Sequence, residues 1–173
     1  KMQDAIGNFE IVRKLGEGGQ GQVFLARHRD ESRLRVAIKK LHGQVDTDSI
    51  EMLLREAREM ASLSHPNIVR VTDISTSEDP NHPYIVMEYL ERGSLRGLLE
   101  NSEPYTPIDI VETSLRICDA LKYAHSHGKV HRDIKPENIL FDGDNPKLAD
   151  WGLVKVQDSP TIVGTGHFAG TFF

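Results

Sequence analysis

Near residue 92 the hydrophobic period of this chain changes, and that change limits the folds open to it more than any other feature. Before it, apolar and polar residues alternate in short runs bounded by turn residues, the pattern of strands. The runs "FEIVRKLG", "GQVFLARH", "LRVAIKKL", "IVRVTDI" and "YIVMEYL" predict five strands between residues 9 and 90. Between the third and fourth, Ile50, Leu53, Leu54, Ala57, Met60 and Ala61 recur at helical spacing, and Asp48 ahead of Glu51 matches a capping box. From Gly93 onward helices take over, a short one after Ser94 and a long one from about Asp109 to His125. The expected buried stripe of the long helix is Ile110, Ser114, Ile117, Leu121 and Ala124. The expected class is α+β: a five-stranded antiparallel sheet with one helix in residues 1–91, and a mostly helical second lobe in residues 92–173.

Charge excludes some work for such a chain. Its 21 basic residues are outnumbered by 26 acidic ones, a net of -5, which argues against coating nucleic acid or an anionic membrane. No apolar run reaches the length of a membrane span, and "KMQDAIGNFE" lacks the apolar stretch of a secretory leader. The single cysteine, Cys118, has no internal disulfide partner and fits a reduced cytoplasm. Its place among Leu115, Ile117 and Leu121 predicts a buried small hydrophobe.

Several segments carry chemistry. "GEGGQGQV" at 16–23 fits a glycine-rich phosphate loop, but a strand follows it and Val36 stands where a dinucleotide site needs an acid. That context predicts a hairpin flap whose backbone N–H groups lie over phosphates. Lys39 points away from the face of Val36 and Ile38, as a solvated strand lysine would; paired with Glu56 of the helix, it would instead hold that helix in place. "HRDIKPENIL" at 131–140 brings together a base (Asp133), a cation (Lys135) and an amide (Asn138), with Pro136 preventing a helix from splaying them. A metal site from His125, His127 and His131 is the weaker alternative, because Gly128 and the histidines also suit the end of a helix. "LADWGL" at 148–153 adds an acid, Asp150, behind an apolar run.

Taken in order, "GEGGQGQV", "AIK", a helix glutamate nine residues before "HPN", "MEYL", "HRDIKPEN" and "DWG" resemble the motif set of eukaryotic-type serine/threonine protein kinases. The resemblance runs over essentially the whole chain and implies a bilobal kinase fold that uses ATP and Mg²⁺ to phosphorylate Ser/Thr hydroxyls of protein substrates. It implies that Gly16, Gly18 and Gly21 cover the phosphates, that Lys39 contacts them and pairs with Glu56, and that Asp133 orients or deprotonates the attacking hydroxyl. Lys135 would steady the transferring group, and Asn138 and Asp150 would hold Mg²⁺. Val23, Ala37 and Leu140 would sandwich the adenine, with Met87 behind it and the Glu88 carbonyl and Leu90 N–H at its edge.

Three departures and additions go with the resemblance. Trp151 stands where the family has Phe, and is expected to pack with His131, Met60 and Val71 and to need a partner for its indole N–H. Arg132 beside Asp133 resembles kinases switched by phosphorylation, with Thr161, Thr165 and Ser159 as candidate acceptors and Thr171 as a substrate-shaping residue. The chain stops at Phe173, before an A-P-E-like segment and further helices, so a fragment, or a partner covering the lower lobe, is expected. The alternative function is a nucleotide-binding or interaction module that does not complete transfer.

Overall fold

The computed structural model describes residues 5–18, 21–31, 33–40, 51, 54, 57–58, 61–75, 83–101 and 104–151. The five expected strands all form: β2 Phe9–Gly18, β3 Gly21–His28, β4 Arg35–Lys40, β5 Val71–Ser75 and β6 Tyr84–Glu88. A short additional strand, β1 Ala5–Ile6, extends the edge, giving an antiparallel sheet in the order β1-β2-β3-β4-β6-β5. β5 starts at Val71, later than the apolar run suggested, because the residues before it are engaged elsewhere. Val69 N–H donates to Leu148 O at 3.0 Å, and Leu148 N–H donates to Asn67 O at 2.8 Å. Of the described residues in 51–61, Glu51, Leu54, Ala57, Arg58 and Ala61 are helical, and are called α1 here. The capping pair proposed for this helix includes Asp48, which lies outside the described residues.

Both faces of the sheet are covered. Ala26, Val36, Ile38, Tyr84 and Val86 form a buried cluster on one side, flanked by Ile6, Phe9 and Ile11. Ala57 and Ile85 pack on the other with Val71, Ile74 and Met87. This double coverage overturns the solvated reading of Lys39: the strand buries Val36, Ala37, Ile38 and Lys39 alike, and Lys39 is 2% exposed. Alternation assigns a face, and an ammonium can be buried on either face when it finds a counter-charge.

The second half is held by two helices and a small ribbon. α2 Leu95–Glu100 starts where Ser94 accepts from Gly97 N–H, as the sequence indicated. α3 Pro107–Ser126 starts slightly earlier than expected, because Thr106 and Asp109 form a reciprocal capping box with Pro107 in the first turn. Gly128, at φ +71, takes the left-handed position after its end. Its buried residues are Thr113, Ile117, Ala120 and Ala124, so Ile110, Ser114 and Cys118 are corrected to exposed positions. The apolar residues of α3 run around much of its circumference, including exposed Ile108, Val111 and Leu115, and apolar spacing alone did not single out the packed side. Small Ala120 and Ala124 let the helix approach Leu63, Ile68, Leu148 and Trp151. β7 Ile139–Asp142 and β8 Asn145–Leu148 pair antiparallel. Among the described residues no helix is long and apolar enough to cross a membrane.

Leu148 is fully buried where β8 meets α3 and the 67–69 segment. Leu148→Ala is expected to destabilise the fold by about 2–5 kcal/mol, read as a lower denaturant midpoint.

Candidate active site

The sheet register puts the strands of the glycine-rich hairpin in line with the lysine. Gly16 pairs with Val23, Val23 with Lys39 and Lys39 with Ile85, a row that runs across four strands. The next row joins Leu25, Ala37, Met87 and Val71. Directly paired residues share a face, so Val23, Ala37, Lys39 and Met87 line one surface of the sheet. Gly18 pairs with Gly21, whose φ of 137° is open to glycine alone, and residues 19 and 20 between them are outside the described residues.

The polypeptide after β6 leads past Leu90, buried, to Gly93, whose carbonyl accepts from Phe141 N–H at 3.0 Å. Ser94 makes an isolated bridge with Leu140, so the partly buried Leu140 sits against the connection between the two halves.

The acidic residues converge through His131. This imidazole is buried; its Nδ1 accepts from Asp133 N–H at 3.2 Å and its Nε2–H donates to Ala149 O at 2.7 Å. The two bonds fix the tautomer, since one nitrogen must accept and the other donate. Ala149 N–H in turn donates to Asn138 O at 2.8 Å. The Asn138 amide nitrogen donates to Asp133 O at 2.7 Å and to Asp133 Oδ2 at 3.1 Å, and Lys135 Nζ lies 2.8 Å from the same Oδ2. Asp150, next to Ala149, forms an ion pair with Lys39, a contact that links the two lobes. Arg132 (φ 67) and Asp150 (φ 58) are the positive-φ residues other than glycine among those described. Holding non-glycine residues there costs roughly 1–3 kcal/mol each, and such strain clusters at functional sites.

Electrostatics follow from these contacts. Burial raises the Asp133 carboxyl, but hydrogen bonds from Lys135 and Asn138 outweigh it and leave the group below the ordinary aspartate range. The Asp133 contact raises Lys135. Asp133 is therefore ionised at neutral pH and is a weak Brønsted base, better suited to orienting a hydroxyl than to taking its proton early. Burial lowers His131 despite the favourable Ala149 carbonyl and nearby carboxylates, so the imidazole is kept neutral.

The sequence-derived metal alternative does not assemble: His131 is committed to backbone partners, and the described residues hold no group of three or more His, Cys, Asp or Glu placed for a metal. Trp151 packs at 4.8 Å between ring centroids from His131, as expected, and its indole N–H donates to Leu148 O at 3.3 Å. It belongs to the buried cluster with Leu63, Ile68, Ile117 and Leu148; the expected Val71 belongs to the cluster around Ile85, and Met60 is outside the described residues. Glu56, Thr161, Thr165 and Thr171 also lie outside them. Sequence reasoning missed Asn67, whose buried amide donates to Asn145 Oδ1 and Pro146 O, and Lys147, which pairs with Glu88. The "HPN" string marked the first only as a spacing landmark, and nothing in "NPKL" signalled the second.

A two-lobed fold in which a buried sheet lysine meets Asp150 beside the Asp133–Asn138 pair is the arrangement the comparisons with known proteins bear on. The protein kinase domain model matches residues 9–172, and the chain belongs to the protein kinase family. It is similar to the serine/threonine-protein kinase PknB of Mycolicibacterium smegmatis, 36% identical over 92% of this chain and 28% of that protein. A probable serine/threonine-protein kinase of Clostridium perfringens is 35% identical over 96% of this chain and 24% of its own length. The chain thus spans about a quarter of the length of these curated relatives. Among solved structures, Rad53 1-466 in complex with AMP-PNP matches with TM-score 0.74 and 30% identity, over 86% of this chain and 39% of that one. The Mycobacterium tuberculosis PknI kinase domain matches with TM-score 0.73 and 25% identity, over 90% and 63%.

Two outcomes are expected. Unfolded His131 takes a proton near pH 6.5, which the folded environment resists, so its contribution is present above that pH and is lost as pH falls below it. Denaturant midpoints between pH 7.5 and about 5.5 are expected to fall, with a shallower slope in His131→Phe. Trp151→Phe removes the bond to Leu148 O and is expected to cost about 1 kcal/mol in the same assay.

Proposed function

We propose that this chain is the nucleotide-binding and catalytic part of a kinase that transfers the γ-phosphoryl group of ATP to Ser/Thr hydroxyls of proteins. The observation that supports this best is the pairing of Lys39 with Asp150 and of Asn138 with Asp133, two contacts joined through the backbone of Ala149 and the His131 ring. The AMP-PNP in the Rad53 neighbour supports an adenine nucleotide in this fold.

In this reading the glycine hairpin, with Gly16, Gly18 and Gly21, lays backbone N–H groups over the phosphates. Val23, Ala37 and Leu140 hold the adenine, with Met87 behind it and the backbone of Glu88 and Leu90 at its edge. Lys39 exchanges part of its contact with Asp150 for the α- and β-phosphates. Asp133 accepts a hydrogen bond from the substrate hydroxyl and aligns its oxygen with the γ-phosphorus. The new O–P bond forms as the bond to ADP breaks, and the hydroxyl proton leaves toward Asp133. Lys135 neutralises charge on the phosphoryl oxygens.

Asn138 and Asp150 fit Mg²⁺: both offer hard oxygen donors, the Asn138 amide nitrogen being already committed to Asp133. Mg²⁺ uses one or two carboxylates together with phosphates, so a larger acidic cluster is not required. When bound it supplies charge neutralisation at the phosphates.

Regulation is proposed to act through Arg132, adjacent to Asp133 and held at positive φ, with a phosphate on Thr161 or Thr165 as its partner and Thr171 shaping the substrate. Trp151, locked to Leu148, is proposed to set the preferred position of the segment that follows. The exposed thiol of Cys118 fits the proposed cytoplasmic setting. A second reading, a nucleotide-binding module without transfer activity, draws on exposed Ile108, Val111 and Leu115 of α3, an apolar face that a partner or a further segment would cover.

With ATP labelled at the γ-phosphate and a generic protein acceptor, the chain is expected to transfer label. Asp133→Asn is expected to reduce transfer about 10²- to 10⁴-fold while nucleotide still binds. Binding with no transfer by the unaltered chain would favour the second reading.

A further inference from the structure

The charged residues around Tyr89 have no part in the chemistry above, yet they continue the sheet face that carries Val23, Ala37, Lys39 and Met87. Alternate residues of a strand share a face. Outward from the Val23–Lys39–Ile85 row the next row on that face is Leu25–Ala37–Met87, and the one beyond is Glu10–Arg27–Arg35. Within this last row Arg27 pairs with Glu10. β6 ends at Glu88, which pairs with Val36, so the position opposite Arg35 falls to Tyr89, the first residue after the strand.

Arg35 holds that residue and the one two further on. Its guanidinium lies over the Tyr89 ring, 5.5 Å from the centroid. The same group forks onto Glu91, Nη1 donating to Oε1 and Nη2 to Oε2, both at 3.0 Å. Arg13 of β2 donates to the Tyr89 hydroxyl at 3.4 Å. One strand arginine therefore grips the chain on both sides of Leu90, whose N–H is the proposed adenine contact. Immediately afterwards the backbone is tied to the other lobe: Arg92 donates to Gly143 O at 3.1 Å, and Gly93 O accepts from Phe141 N–H at 3.0 Å.

Side-chain exposures of 48% for Arg35 and 70% for Glu91 make this a surface pair, a kind that contributes little to overall stability. Its geometry is what sets it apart. Two parallel bonds fix the plane of the guanidinium, and the ring beneath fixes its height, so the pair constrains direction where a single ammonium contact would not.

We propose that Arg35 is a positioning residue of the nucleotide site: stacked on Tyr89 and forked onto Glu91, it sets the course of the backbone at the adenine edge. This rests on the nucleotide-binding reading above. Arg35 touches no reacting atom and acts through the placement of the Glu88 carbonyl and the Leu90 N–H. Its exposed place at the start of β4 lets other side chains stand there without disturbing the core.

The test uses Arg35→Met, Arg35→Lys and Glu91→Gln in the full chain, with two readouts. Amide hydrogen exchange in residues 88–93 is followed without nucleotide, with α3 as an internal reference, and affinity for AMP-PNP is measured by calorimetry. Arg35→Met is expected to speed exchange in 88–93 but not in α3, and to weaken AMP-PNP binding about two- to tenfold. Arg35→Lys, which keeps the charge and loses the fork, is expected to leave most of both effects in place. Arg35→Met combined with Glu91→Gln is expected to do no more than Arg35→Met alone. Unchanged exchange in Arg35→Met, or exchange sped equally in α3, would overturn the clasp. Faster local exchange with unchanged affinity would overturn its positioning role, and full restoration by lysine would overturn the need for the fork. Failure of the unaltered chain to bind AMP-PNP would overturn the nucleotide reading, and is told apart from failure of the clasp by the nucleotide-free exchange.

Discussion

A single buried imidazole decides where the acids of this site stand. His131 accepts from the backbone of Asp133 and donates to the carbonyl of Ala149, so the loop after α3 and the end of β8 are fastened at one ring. A neutral His is the side chain that offers one donor and one acceptor at opposed positions of a compact plane. Trp151 closes over it, and its own N–H returns to Leu148, so the junction is sealed without an orphaned polar group. Among the described residues no buried side-chain polar atom lacks a partner.

That fastening explains why backbone strain collects here. Arg132 lies between the His131 ring and Asp133, and Asp150 follows the carbonyl that the ring holds; both adopt left-handed backbone. The surrounding bonds from Asn138 to Asp133 and from Ala149 to Asn138 hold these turns in place. β8 is gripped from its other side by Asn67 and Val69, which follow α1 in sequence. The Lys39–Asp150 pair then completes a circuit from the sheet to the second lobe and back. Local strain is tolerated because long-range hydrogen bonds over-determine it.

Much of the fold was legible because β2, β3, β4 and β6 are short runs rich in apolar residues between turn-forming segments, with glycines at the β2–β3 turn. The site was legible for a different reason: Asp133, Lys135 and Asn138 sit within six residues, so local chain geometry alone brings them near one another. What stayed hidden depended on partners distant in sequence. The burial of Lys39 required knowing that both faces of β4 are covered and that Asp150 meets it. The orientation of α3 was hidden because apolar residues lie on several of its sides, and small alanines decide which side packs. The Glu88–Lys147 pair joins residues 59 positions apart and leaves no periodic trace.

The central claim is that Lys39, Asp133, Asn138 and Asp150 form one site for a magnesium-bound adenine nucleotide. The most direct test is calorimetric titration of AMP-PNP into the chain and into Asp150→Asn, each with Mg²⁺ and with a chelator. The expected result is binding that Mg²⁺ tightens in the unaltered chain, with that tightening lost in the variant. Mg²⁺ dependence that is the same in both proteins, or no binding by either, would contradict it.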